Sequence, residues 1–143
     1  MRRIALIVPT VAVAGLALVA GCSGGGGSCL SGEWEPADAS DWGADAIEEQ
    51  GGTFDFTLKF DGGDINVNMS GRTEEETREI AAQGKYSVSG DKIKITDMTG
   101  SAKVDGEERQ DEADDLVEGL EGAFEYSCSG DTLTFDGEEF TRR

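Results

Sequence analysis

Three segments of this chain set a two-residue glycine turn between runs of alternating apolar and polar residues, and that combination restricts the fold more than any other feature. Phe54, Phe56, Leu58 and Phe60 alternate with Thr53, Asp55, Thr57 and Lys59; after Gly62-Gly63, Ile65, Val67 and Met69 alternate with Asn66 and Asn68. Gly90-Asp91 separates Tyr86 and Val88 from Ile93 and Ile95, and Gly130-Asp131 separates Phe124, Tyr126 and Cys128 from Leu133 and Phe135. A period of two marks a strand with one buried face, whereas buried parallel strands are apolar throughout. Glycine first in a two-residue loop suits a type II′ hairpin turn. Counting outward from the turns pairs Phe60 with Ile65, Leu58 with Val67 and Phe56 with Met69. It likewise pairs Val88 with Ile93, Tyr86 with Ile95, Cys128 with Leu133 and Tyr126 with Phe135. A slip of one residue in any hairpin would turn its apolar set outward. The last two hairpins are near copies, but two copies fall short of a repeat architecture, so shared hairpin grammar accounts for them.

Two segments carry helical signals instead. Thr73-Glu74-Glu75-Glu76 has the capping-box pattern and Gly84 suits a terminator, which predicts a helix between them. From Arg109 to Glu121, Ala113, Leu116, Val117 and Leu120 share one stripe at helical spacing. The acidic stretch from Asp38 to Glu49, with Trp42 and Ile47, reads as a loop or a short helix.

Charge and composition exclude several functions. The 143 residues hold 30 acidic and 12 basic side chains, a net charge of −18, and no histidine. Phosphate backbones need lysine and arginine to neutralise them, so nucleic acid is excluded, and anionic lipid surfaces attract basic segments rather than acidic ones. Histidine, the commonest general base, is missing, zinc sites of cysteine and histidine go with it, and there is no G-x-S-x-G elbow. A non-enzymatic protein without a cofactor is expected. Residues 38–49 echo a calcium loop in Asp38, Gly43 and Glu49, but Trp42 stands where an oxygen ligand is needed, so no metal is expected. Asp61 and Asp64, opposed across Gly62-Gly63, are a like-charge pair that water screens.

The first residues resemble an export signal. Arg2 and Arg3 precede an uncharged apolar run from Ile4 to Ala20, and small residues then lead into Cys22, as in a cleavable secretory peptide. Val19-Ala20-Gly21-Cys22 resembles the lipobox of bacterial lipoproteins. That resemblance implies cleavage before Cys22 and a diacylglyceryl thioether on its sulfur. Residues 1–21 are then a signal peptide, 22–28 the lipidated cysteine with a flexible Gly/Ser tether, and 29–143 a single domain. It also implies a cell-membrane protein anchored by lipid on the extracytoplasmic face. With Cys22 taken by lipid, Cys29 and Cys128 remain in an oxidising compartment, where a disulfide is expected; two separate thiols, with Cys128 buried, are the other reading.

Further along, Leu30-Ser31-Gly32-Glu33-Trp34 resembles the G-x-W opening of lipocalin-like barrels. The glycine-turned hairpins and the closing Phe140-Thr141-Arg142 are similar to those of small lipocalin-like bacterial lipoproteins. The resemblance implies that Trp34 plugs the closed end of a barrel, with Arg142 or Arg143 as its cover. The expected fold is mainly β, an antiparallel up-and-down (lipocalin-like) barrel of about eight strands with one or two short helices. Trp34, Trp42, Phe56, Tyr86 and Tyr126 are the candidate ligand-binding residues, and the same aromatics would otherwise fill the core. The expected function is a membrane-anchored, non-catalytic binding module for a small apolar ligand or a partner protein. The alternative is a solid-core interaction or inhibitor protein that recognises a cationic partner through its acidic surface. A monomer is expected.

Overall fold

The structure, a computed structural model, describes residues 29–143; the signal segment, Cys22 and the tether lie outside the described residues. Nine strands form here: β1 Gly32–Pro36, β2 Thr53–Asp61, β3 Asp64–Arg72, β4 Thr77–Ser89, β5 Lys92–Val104, β6 Glu107–Glu108, β7 Gly122–Ser129, β8 Thr132–Phe135 and β9 Glu138–Arg142. Two helices interrupt them, α1 Ala44–Glu48 after β1 and α2 Gln110–Leu120 after β6. Each strand pairs antiparallel with its neighbours in the order β1-β2-β3-β4-β5-β7-β8-β9, and β9 pairs with β1 to close an eight-stranded barrel. Closure leaves the barrel without an open edge. The short β6 only extends the end of β5.

The registers counted from the turns are the registers observed. Phe60 pairs with Ile65, Tyr86 with Ile95 and Tyr126 with Phe135, with the intervening pairs in step. Gly62 and Gly63 both have positive φ, 57° and 94°, as a type I′ turn requires, while Gly90 at 63° and Gly130 at 61° are each the only left-handed residue of their turn. Two more turns, Asp105-Gly106 and Asp136-Gly137, carry the Asp-Gly signature with positive φ at both residues.

One expectation is overturned. The capping-box segment does not start a helix: Thr77–Ser89 is the long strand β4, paired along most of its length with β3 and β5. Thr73 Oγ1 does accept the Glu76 N–H at 3.0 Å, as an N-cap would, but the Thr73 N–H donates to the Glu76 carbonyl at 2.8 Å and closes a hairpin turn. An extended chain places Ile80, Ala82, Gly84, Tyr86 and Val88 on one inner face; a helix would scatter them. Gly84 therefore serves a different purpose. The register shifts from Gln83–Thr99 to Lys85–Thr96, so Asp97 and Met98 oppose Gly84 in a β-bulge. A Cβ on Gly84 would lie 2.4 Å from Met98 Sδ and 2.9 Å from the Thr96 carbonyl oxygen. The Met98 N–H donates to the Glu121 carboxylate at 2.9 Å.

The barrel interior is filled. Trp34, Phe60, Ile65, Val67, Ile93 and Leu133 are 0% exposed, and Phe56, Leu58, Ile95, Phe135 and Phe140 complete a continuous core with them. Eight strands enclose a space just wide enough for side chains, and large side chains from all sides occupy it. The second expected helix is present as α2. Its stripe of Ala113, Leu116, Val117 and Leu120 packs on the inner face of β4 and β5, near Ile80, Gly100 and Ala102. Gly100 has no side chain, so Val117 and the Ala113 carbonyl come within 3.0 and 3.4 Å of where a Cβ would sit.

Candidate functional site

Strand direction sorts the molecule into two unlike ends. One end holds the turns at Gly62-Gly63, Gly90-Asp91 and Gly130-Asp131, the start of the domain at Cys29, and the chain end at Arg143. The other holds α1, α2 and the turns at Thr73–Glu76, Asp105-Gly106 and Asp136-Gly137. The first is closed; the second is a mouth.

Closure of the first end is built from residues the sequence singles out. Trp34 on β1 is fully buried and its Nε1 donates to the Leu30 carbonyl at 2.8 Å. Arg142 pairs with Trp34 across β1 and β9. Its guanidinium carbon lies 4.2 Å from the Trp34 ring centre, its terminal nitrogens donate to the carbonyls of Ser31 at 2.8 Å and Cys29 at 3.1 Å, and its Nε faces Asp131 at 3.4 Å. The Cys29–Cys128 disulfide ties the same end together across 99 positions of chain. Arg142 is therefore the cover of Trp34. Arg143 reaches outward instead, to Asp55 at 2.6 Å, to Glu35 and to Thr57 Oγ1, and the Asp55 carboxylate holds its pKa above the usual arginine value.

At the mouth, Trp42 follows β1 in a single 3₁₀ turn, Ser40–Trp42, held by the Asp38 carboxylate, which accepts the Ser40 N–H at 2.9 Å. Those hydrogen bonds from Ser40 lower the Asp38 pKa. The Trp42 ring packs on Phe56 at 4.6 Å between centroids and on Phe140 at 6.4 Å, sealing the core from above. Beside it a cleft of about 590 Å³ remains, walled by Trp42, Ile47, Phe54, Met69 and Ile80, with Glu75, Glu76 and Arg78 at its rim. Pockets of roughly 300–1,000 Å³ with apolar walls and a few polar groups are typical of small-molecule sites, and barrel mouths are a preferred place for them. Trp42 Nε1 is buried and has no hydrogen-bond partner among the described residues. Arg78 bridges the rim, contacting Glu76 at 3.0 Å and Glu112 of α2 at 3.5 Å.

The five aromatic candidates separate in space. Trp42 lines the cleft and Phe56 lies directly beneath it, whereas Trp34 is sealed at the opposite end. Tyr86, partly buried, packs edge-on against Phe60 at 5.0 Å between centroids near the closed end, where its N–H donates to the Gly63 carbonyl. The Tyr126 hydroxyl points to the Gly90 carbonyl at 3.4 Å, and partial burial together with the nearby Asp91 and Tyr86 raises its pKa above the ordinary 10.0. Phe54, one of the aromatics whose alternation suits a pocket lining, does line the cleft, whereas Ile47, Met69, Ile80 and Arg78 carry no such signal in the sequence. Phe54 and Met69 already stood in the alternating pattern, at the strand ends where inward residues face a mouth.

The acidic side chains gather at the same end. Residues 38–49, 74–79, 105–121 and 136–139 contain 21 of the 30 acids and two basic residues, Arg78 and Arg109, with Arg72 and Lys103 at the adjoining strand ends. Elsewhere in residues 29–143 nine acids meet eight bases. Among the described residues no cluster of three or more His, Cys, Asp or Glu has a metal-holding arrangement. Asp61 and Asp64 do face each other, and Asp64 is paired with Lys85. Comparison with protein-family models, with curated proteins and with solved structures finds no match for this chain.

Proposed function

We propose that this protein is a lipid-anchored, non-catalytic binding module that takes a small apolar ligand into the mouth of its barrel. The observation that carries the reading is the apolar cleft of about 590 Å³ above a filled core. The ligand sits in the mouth between α1 and the β3–β4 hairpin, not along the barrel axis. Lipid on Cys22 anchors the closed end, because the domain begins there and only residues 23–28, glycine and serine, separate it from Cys22. The cleft then faces away from the membrane, open to ligands arriving from the aqueous side.

Tryptophan emission tests this directly, since the chain has two tryptophans at opposite ends. Titrating the purified chain with a panel of fatty acids, sterols, quinones and long-chain amines should change emission for at least one compound. Trp42→Phe should abolish that response while Trp34 continues to report an intact core. Silence across the panel, together with native mass spectra free of bound ligand after detergent-free purification, would refute the reading. Anchoring is tested separately: Cys22→Ala should move the protein from the membrane fraction to the soluble one.

A further inference from the structure

We infer that the ligand of the mouth is a cationic amphiphile, a small molecule with an apolar body and a protonated amine; the inference rests on the mouth being the binding site proposed above. The cleft contains one basic side chain, Arg78, and its charge is already met by Glu76 at 3.0 Å and Glu112 at 3.5 Å. Glu75, also at the rim, makes no ion pair among the described residues. The cleft wall thus carries net negative charge with one carboxylate ready for a new partner. A charge-assisted hydrogen bond from an ammonium to such a carboxylate is stronger than a neutral one.

The surroundings act in the same direction. The two-thirds of the acids that gather at this end create a field that concentrates cations, and an apolar wall beside them focuses it. Trp42 and Phe54 both line the cleft, and aromatic rings attract a cation brought close to them. An anionic amphiphile of the same length would bury the same apolar body but set its headgroup among carboxylates. A neutral one would gain burial only. Shape selects the apolar body and charge selects the amine.

The test uses three probes of one chain length, octylamine, octanoate and octanol, titrated into the full chain with tryptophan emission as the readout. Octylamine should bind at least about tenfold more tightly than octanoate, since the same rim attracts one headgroup and repels the other. That preference should shrink in high salt and in Glu75→Gln. Ala46→Phe, a substitution at an exposed position on the cleft wall, should abolish octylamine binding without touching the core. Equal binding of all three probes, lost in Ala46→Phe, would overturn the charge selection and leave the apolar site standing. Octylamine binding that survives Ala46→Phe would place the amine on the acidic surface outside the cleft and overturn the inference. No binding by any probe would overturn both this inference and the site itself.

Discussion

Arg142 sits over the Trp34 ring, its guanidinium carbon 4.2 Å from the ring centre, and the two residues pair across β1 and β9. The contact needs Gly32, because a Cβ there would come within 2.6 Å of an Arg142 nitrogen, and Gly32 itself has φ +127°, which side chains rarely adopt. Arg142→Ala removes a cation over an aromatic face and the two hydrogen bonds that Arg142 donates to the Ser31 and Cys29 carbonyls. A loss of about 2 kcal/mol in urea unfolding is expected, and Gly32→Ala should lose at least as much. Unfolding midpoints unchanged in both variants would contradict this account of the closed end.

The two tryptophans should respond unequally to the same change. Trp34→Phe deletes the donor to the Leu30 carbonyl at 2.8 Å and strands a buried acceptor, costing about 1–3 kcal/mol. Trp42→Phe keeps a ring over Phe56 and deletes a buried donor that has no partner among the described residues, so its cost should be about 1 kcal/mol or less. Thermal unfolding of the two variants side by side decides the matter.

The disulfide closes nearly the whole domain. Joining residues 99 apart restricts the unfolded chain, and loop-entropy reasoning assigns such a link about 4–5 kcal/mol. Paired Cys29→Ser and Cys128→Ser substitutions should lower stability by that order, and denaturation with and without reductant should reproduce the difference in the unmodified chain.

Gly84 carries a fourth expectation. Gly84→Ala would drive a methyl group against Met98 Sδ and the Thr96 carbonyl, and overpacking of this kind costs about 1–3 kcal/mol. Glu121→Gln keeps an acceptor for the Met98 N–H and should be milder than Glu121→Ala; reversal of that order in urea unfolding would mean the carboxylate does not hold the bulge.

Alkaline pH should weaken the fold through Tyr126. Its folded-state pKa is raised, first by burial and then by Asp91 and Tyr86. A raised pKa means the neutral phenol is favoured in the folded state, so its stabilising contribution is complete below the unfolded value near 10.0 and is lost as pH rises through the folded one. Absorbance titration at 295 nm should show a tyrosine ionising above the ordinary value, and Tyr126→Phe should soften the decline in stability above pH 10.0.

Where sequence and structure part company, the cause is visible in particular residues. The three hairpins were legible to the exact residue pair, because turn geometry and alternation are local and each independently demands the same register. The helix expected from Thr73 was not, because a threonine accepting an N–H three residues on looks the same at an N-cap and in a hairpin turn. The alternation of Ile80, Ala82, Tyr86 and Val88 was the stronger signal in that segment. The Asp-Gly turns at 105–106 and 136–137 were open to the same reasoning.

From its sequence this chain determines a half-buried antiparallel ribbon folded back on itself, a cystine-capable pair, an amphipathic helix near residue 115 and a strongly acidic surface, all set by neighbours along the chain. Only the tertiary structure decided that the barrel interior is solid, that Trp34 and Trp42 occupy opposite ends, and that acids scattered over a hundred positions meet around one mouth. Closure is the physical reason: which inward side chains fill the axis and which line an opening depends on how far each strand extends past its neighbours, and no single segment contains that information.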